Sequence, residues 1–126
     1  MRLLIDTHVI LWGYNEPERI SKSASRAMAS AQNECFVSVA SLWEIAIKLR
    51  KGQLSTRDDL AARLRSNPQL TILPIAVEHA WRVRQLPRLH GDPFDLLLVS
   101  QALAEQMTLV THDGIMAAYG VPIVPA

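Results

Sequence analysis

The sequence predicts one α/β domain over residues 1–126: a three-layer α/β/α sandwich with a short-stranded central parallel sheet. Three observations lead there. Short apolar runs alternate with segments of helical composition or periodicity. The runs are mainly apolar rather than alternating, as in strands covered on both faces. No hairpin signal joins neighbouring runs, so the chain must cross over through helices.

The elements follow in order. Residues 3–5 (Leu-Leu-Ile) form a buried strand that exits at Asp6-Thr7. A helix begins over 9–14 and breaks at Asn15-Glu16-Pro17. Residues 21–32, rich in Ala, Ser and Met, favour helix. A second strand covers 35–37, followed by a helix over 38–51 with Gly52 as its stop. In that helix Val39, Leu42, Trp43, Ala46 and Leu49 form one apolar stripe. Another helix is predicted over 56–66, with Thr56 as N-cap and Asn67-Pro68 as the break. A third strand over 70–75 leads to a helix over 76–86 and a loop over 87–91. Asp92 caps and Pro93 opens a helix that runs through Gln106. A fourth strand covers 108–110, Asp113 caps a short helix to Tyr119, and a last strand covers 121–124.

Composition excludes several classes. With 49% hydrophobic and 20% charged residues the chain can bury a core and is not disordered. Cys35 is the single cysteine, which rules out an intrachain disulfide or a Cys-based zinc cage and fits a reducing compartment. The 13 Lys+Arg and 12 Asp+Glu give a net charge of +1, which excludes a strongly basic nucleic-acid binder. Asp6 and His8 interrupt the N-terminal apolar run, and the run over 94–99 contains Asp95. Nothing approaches the about 20 apolar residues of a membrane helix. A soluble cytoplasmic protein is expected. There is no Gly-rich phosphate loop of the Walker type.

The acids carry the chemistry. Asp6 follows the first strand, and Asp113 follows the fourth after Thr111 and His112. Glu44 lies in the second turn of the helix after the second strand, and Asp92 and Asp95 open the helix that leads to the fourth. In a parallel α/β sheet, strand exits and helix N-termini share the carboxyl edge, where ligands bind. Five carboxylates from four segments therefore converge there. Such a cluster repels itself unless a cation holds it, and Mg²⁺ or Mn²⁺ suits oxygen donors. The chemistry that follows is phosphodiester hydrolysis.

Each acid also has a structural role available. Asp6 and Asp113 can cap the helices they precede, and Asp92 and Asp95 have capping-box spacing. Glu44 has Lys48 four residues on, a favourable surface pair. Thr7, Ser41 and Thr111 can hydrogen-bond carboxylates or water, or simply cap turns. None of His8, His79, His90 and His112 has the close pairing of a zinc motif, so none is expected as a ligand; His90 and His112 can lie near the site, and a surface position is the expectation for both. Trp12, Trp43 and Trp81 are expected as core or interface anchors, and Cys35 as a buried small hydrophobe. The basic stretches Lys48, Arg50, Lys51 and Arg82, Arg84, Arg88 are solvated faces or the rim of a phosphate groove.

These segments resemble a known family. Leu-Leu-Ile-Asp6-Thr7-His8, Ser41-Leu-Trp43-Glu44-Ile-Ala-Ile-Lys48, Asp92-Pro93-Phe94-Asp95 before Leu-Leu-Leu-Val-Ser-Gln101-Ala102, and Leu-Val-Thr111-His112-Asp113 are similar to PIN-domain motifs, in the same order. More narrowly they resemble VapC-type toxins of bacterial toxin–antitoxin pairs. The resemblance places the acidic site on Asp6, Glu44, Asp95 and Asp113, with Asp92 an accompanying acid. It implies a Mg²⁺- or Mn²⁺-dependent endoribonuclease that leaves a 5′ phosphate. It also implies a homodimer, and a small antitoxin that blocks the site. Leu96 and His112 stand where similar chains often carry Arg; neither is expected to touch the ligands.

On this reading Asp6, Asp95 and Asp113 hold one or two metals, and Glu44 orients a water or helps remove its proton. Two other readings stay open. A phosphotransfer enzyme of the haloacid-dehalogenase or receiver type also places Asp after the first strand, but Asp6-Thr7-His8 lacks the second Asp a dehalogenase-type phosphatase needs. A non-catalytic RNA- or protein-binding module would use the acids only as caps, and metal would not raise its melting temperature. With Asp6, Glu44, Asp95 and Asp113 set apart, eight acids face 13 bases, and the rest of the chain carries +5. A near-neutral total thus hides an acidic pocket in a moderately basic surface, which suits a phosphate backbone.

Overall fold

Leu3, Leu4 and Ile5 are all buried, although neighbouring strand residues point to opposite faces of a sheet. That requires cover on both sides. The computed structural model, which describes residues 1–56, 59–89 and 91–126, supplies it. Its strands are β1 (Arg2–Ile5), β2 (Glu34–Ser38), β3 (Leu70–Leu73), β4 (Thr108–Thr111) and β5 (Ile123–Pro125). Its helices are α1 (Thr7–Asn15), α2 (Lys22–Ala29), α3 (Val39–Arg50), α4 (Leu60–Ser66), α5 (Val77–Arg82) and α6 (Pro93–Glu105). Short 3-10 turns lie at Pro17–Arg19, Val83–Gln85 and Gly114–Tyr119.

The five strands are parallel, in the order β3-β2-β1-β4-β5. Leu4 stands between Phe36 of β2 and Leu109 of β4, so β1 is the centre of the sheet. The chain moves outward from β1 through β2 to β3, then returns to build β4 and β5 on the other side. Right-handed crossovers put helices from the two excursions on opposite faces. Two cores result. Leu3, Ile5, Cys35, Val37 and Val110 pack under α1 to α4 with Val9, Ile45 and Leu64. Leu4, Phe36 and Leu109 pack under α6 with Leu98, Val99 and Met116. The reversal of strand order between β1 and β4 opens a crevice at the carboxyl edge, the place where open α/β sheets bind ligands.

The predicted sandwich is present, with shifted boundaries. The first helix starts at Thr7, directly after Asp6, not at Val9. The 21–32 helix is Lys22–Ala29, with the Ser21 hydroxyl capping Ala24 N. The helix predicted from Thr56 is α4 and begins at Leu60; its cap is Asp59, which accepts from Ala62 N at 3.1 Å. Residues 57 and 58 of that prediction, and His90, lie outside the described residues. The 70–75 strand stops at Leu73, and the 76–86 helix is a short α5 followed by a 3-10 turn. Gln106, predicted as helical, is the left-handed C-cap of α6 at φ 56°. The helix after Asp113 is 3-10, and the last strand is displaced to Ile123–Pro125.

The larger correction concerns α3. Its apolar stripe faces the core only in part: Leu42 packs against it, whereas Trp43 is 57% exposed and Val39 and Leu49 are also exposed. The buried face is Ala40, Ser41, Glu44 and Ile45. Burial here follows the site rather than hydropathy, because the inward face carries Glu44. Trp81, at 65% exposed, lies outside the core, so of its two expected roles only that of an interface anchor stays open. Cys35 is buried as expected. Among the described residues no helix is long and apolar enough to cross a membrane.

Candidate active site

Asp6 sits at the point where β1 ends and α1 begins. Its backbone N–H donates to Val110 O at 2.9 Å, so the residue is pinned to β4. Although it occupies the N-cap position of α1, its side chain makes no capping bond. The Thr111 hydroxyl donates to Asp6 Oδ2 at 2.7 Å. Asp6 Oδ1 is buried and has no hydrogen-bond partner among the described residues, and Asp6 is only 2% exposed. A buried carboxylate oxygen without a donor is costly, and a cation is the usual remedy. Burial raises the Asp6 pKa; the bond from Thr111 and the nearby His8 act the other way.

The same Thr111 oxygen accepts from Asp113 N at 3.0 Å. One hydroxyl therefore fixes the Asp6 carboxylate and the start of the following turn. Asp113 Oδ1 caps that turn through Ile115 N at 3.0 Å. Across the crevice, Asp92 caps α6 by accepting from Phe94 N at 2.9 Å and Asp95 N at 3.3 Å. The capping role foreseen for Asp92 is thus realised.

Asp95 shows that the acids meet. Its carboxyl is pushed up to about 7, first by burial and then by the charges of Asp92, Asp6, Glu44 and Asp113. All five candidate carboxylates therefore share one field. Glu44 reaches it from the buried face of α3, and Glu44 Oε2 pairs with Lys48 Nζ at 3.0 Å. The surface pair foreseen for Glu44 exists, but Glu44 itself is only 6% exposed. The donor set is oxygen-rich, mutually repelling and contains an orphaned buried oxygen. It fits a hard divalent cation.

Several supporting residues act differently from expectation. The Thr7 hydroxyl donates to Ser41 Oγ at 2.9 Å, and both are buried, so the pair ties α1 to α3. Gln101 does related work that the sequence did not single out. Its side chain accepts from Ser38, the N-cap of α3, and donates to Pro74 O at 3.2 Å. It thereby fixes α6, which carries Asp95, against α3, which carries Glu44. Leu96 packs against the core.

Two of the histidines stand close to the acids. His8 and His112 flank Asp6, and a ligand atom from each of the three lies within 4.8 Å of the others. His112 is exposed and lies near Asp6, both of which the sequence allowed. The signal was His8 two residues after a strand-end acid and His112 in the loop of the neighbouring strand. Only the pairing of β1 with β4 joins them. Of the basic residues, Lys48 and Lys51 line a cleft with Glu44, Gln53, Asp92 and Phe94. Arg50 and Arg88 are exposed, and the Arg84 guanidinium lies over Trp81 at 4.8 Å.

Comparison with known proteins agrees with this geometry. The chain is 31% identical over 121 residues to Ribonuclease VapC22 of Mycobacterium tuberculosis, covering 88% of this chain and 86% of that relative. In fold it is similar to VapBC2 from Rickettsia felis bound to a promoter DNA fragment, with TM-score 0.75 at 18% identity, covering 99% of this chain and 98% of the other. It is also similar to FitAcB from Neisseria gonorrhoeae, with TM-score 0.63 at 19% identity over 96% and 95% of the two chains. The PIN domain model matches residues 3–122, nearly the whole sheet and every candidate acid. With strand order, acid placement and this match in agreement, the chain belongs to the PIN domain family.

Proposed function

We propose that this chain is a divalent-metal-dependent endoribonuclease, the toxin of a type II toxin–antitoxin pair. The observation that carries the reading is the meeting of Asp6, Glu44, Asp92, Asp113 and Asp95 in one field around a buried, unbonded Asp6 oxygen. Asp6, Asp95 and Asp113 would hold Mg²⁺ or Mn²⁺, with Asp92 serving as cap. A bound divalent ion supplies Lewis-acid chemistry: it polarises a phosphate and acidifies water.

The chain's own residues do the rest. Glu44 orients the attacking water and accepts its proton, and Lys48 holds the Glu44 carboxylate in place. Thr111 keeps Asp6 aimed at the crevice. Lys48 and Lys51, along the cleft beside Asp92 and Phe94, offer positive charge to an RNA backbone. Arg50, Arg84 and Arg88 add weaker, diffuse attraction. The relative named a ribonuclease supports RNA as substrate.

The exposed apolar face of α3, with Trp43 edge-on to Phe94 at 5.2 Å, borders the site. A small antitoxin covering that face would block the crevice, and a homodimer would bury apolar surface elsewhere. The test is purified protein with structured RNA and Mg²⁺ or Mn²⁺, native against Asp6→Asn. Native protein should cut, and the variant should keep its fold and lose cleavage. Normal cleavage by Asp6→Asn in the presence of metal would overturn the assignment. Sequencing RNA ends after brief expression of the same pair would locate the cut.

A further inference from the structure

We propose that Asp6, His8 and His112 form an imidazole-containing metal position that takes borderline divalent ions, Zn²⁺, Co²⁺ or Ni²⁺, in preference to Mg²⁺. It shares Asp6 with the acid cluster but not its donor chemistry. It does not rest on the nuclease reading, because it concerns binding and not cleavage.

Four observations carry it. Ligand atoms of the three residues lie within 4.8 Å of one another. Asp6 is almost fully buried, and its Oδ1 has no partner among the described residues. The His8 and His112 rings stand edge to face at 5.2 Å between centroids. The Trp12 ring packs on His112 at 4.8 Å and restricts where that imidazole can turn. Local structure explains the arrangement. His8 lies in the first turn of α1, directly after Asp6, and His112 follows Thr111, whose hydroxyl is bonded to Asp6. The bond that orients the acid thus also places the second imidazole.

The chemistry follows from the donors. Two imidazoles and one carboxylate suit the later first-row ions, whose affinity rises toward copper, whereas Mg²⁺ prefers oxygen and water. A tetrahedral site with bonds of about 2.0–2.1 Å has its ligand atoms roughly 3.4 Å apart, so the exposed rings need close only by about 1.4 Å. Three protein ligands leave a further position for water or phosphate. An ion held there would occupy the Asp6 oxygen that a hard ion also needs, so Zn²⁺ and Mg²⁺ should compete.

The test uses the whole chain and metal ions alone. Zn²⁺ and Mg²⁺ affinities are measured by calorimetry, and Co²⁺ by its visible absorption, for native protein, His8→Gln, His112→Gln and Asp95→Asn. Circular dichroism serves as the fold control. Both histidines are exposed, so their loss leaves the core intact. Each His→Gln variant should weaken Zn²⁺ by at least about tenfold while changing Mg²⁺ by less than about twofold. Co²⁺ should give an intense low-coordinate spectrum in native protein and in Asp95→Asn, but not in the histidine variants. Unchanged Zn²⁺ affinity in both histidine variants would overturn the proposal. So would a faint octahedral Co²⁺ spectrum in native protein, which oxygen ligands alone produce.

Discussion

Replacing Asp95 with Asn should stabilise the metal-free protein while removing its response to metal. The Asp95 carboxyl is pushed from 3.8 to about 7 by burial and by four neighbouring acids. A raised acid pKa means that the folded state holds a proton the unfolded state has lost. Stability is therefore greatest below about pH 4 and falls as pH rises toward 7. The full shift of about three units corresponds to about 4 kcal/mol. The carboxyl is only half-buried, so screening reduces the figure to about 2 kcal/mol. Asn is a neutral isostere and avoids that cost. In EDTA, Asp95→Asn should match native protein near pH 4 and exceed it by about 2 kcal/mol at pH 8, or roughly 6–10 °C in Tm. Saturating Mg²⁺ or Mn²⁺ should then raise native Tm, with about 2.7 kcal/mol expected at 100 times Kd. The variant should respond little. Urea or thermal unfolding at the two pH values, with EDTA and with metal, reads all of this. If Asp95→Asn in EDTA is no more stable than native at pH 8, Asp95 is not under repulsion and the case for a cation fails.

Two further outcomes separate holding from capping. Thr111→Val removes the donor to Asp6 and the acceptor for Asp113 N, so stability should fall by roughly 1–3 kcal/mol; metal affinity should fall about 10- to 100-fold on calorimetry, with recovery in Thr111→Ser. Asp92→Ala should cost about 1 kcal/mol through the lost α6 cap, whereas Asp92→Asn should keep both Tm and cleavage. A drop of about tenfold or more in metal affinity for Asp92→Asn would instead make Asp92 a ligand.

The sandwich was legible because its central strands β1, β2 and β4 are buried on both faces and its helices announce their starts. Asp92-Pro93 marks one such start with a cap and a pre-set φ. Boundaries slipped where local signals compete. Thr56 and Asp59 are both acceptable caps, and only packing of Leu60 and Leu64 under the sheet selects Asp59. The face of α3 was not legible from periodicity. Two stripes lie on that helix, one apolar and one containing Ser41 and Glu44, and hydropathy favours the wrong one. The bond from Thr7 to Ser41 and the hold of Gln101 on Ser38 turn the polar stripe inward. The acids could be picked out because strand exits and helix starts share an edge. The nearness of His112 to the site could be allowed for, but its meeting with His8 could not be read, because it depends on β1 lying beside β4, more than 100 residues away in sequence.

Capping and metal holding are not rival accounts of these acids. Asp92 and Asp113 do cap, and each cap brings a backbone N–H donor to the crevice. The N-termini of α1 and α6 point their positive ends at the same edge, which eases the gathering of carboxylates by about 0.3–1 kcal/mol each. Lys48 neutralises part of the charge on Glu44. These contributions are not enough. With both helix ends in place, Asp95 is still pushed to about 7, and Asp6 Oδ1 still lacks a donor. The protein has supplied helix ends and one lysine at this sheet edge, and burial together with the neighbouring acids still disfavours the charged form of Asp95. The remaining negative charge is what a divalent ion would neutralise, and it lies in a chain whose net charge of +1 conceals it.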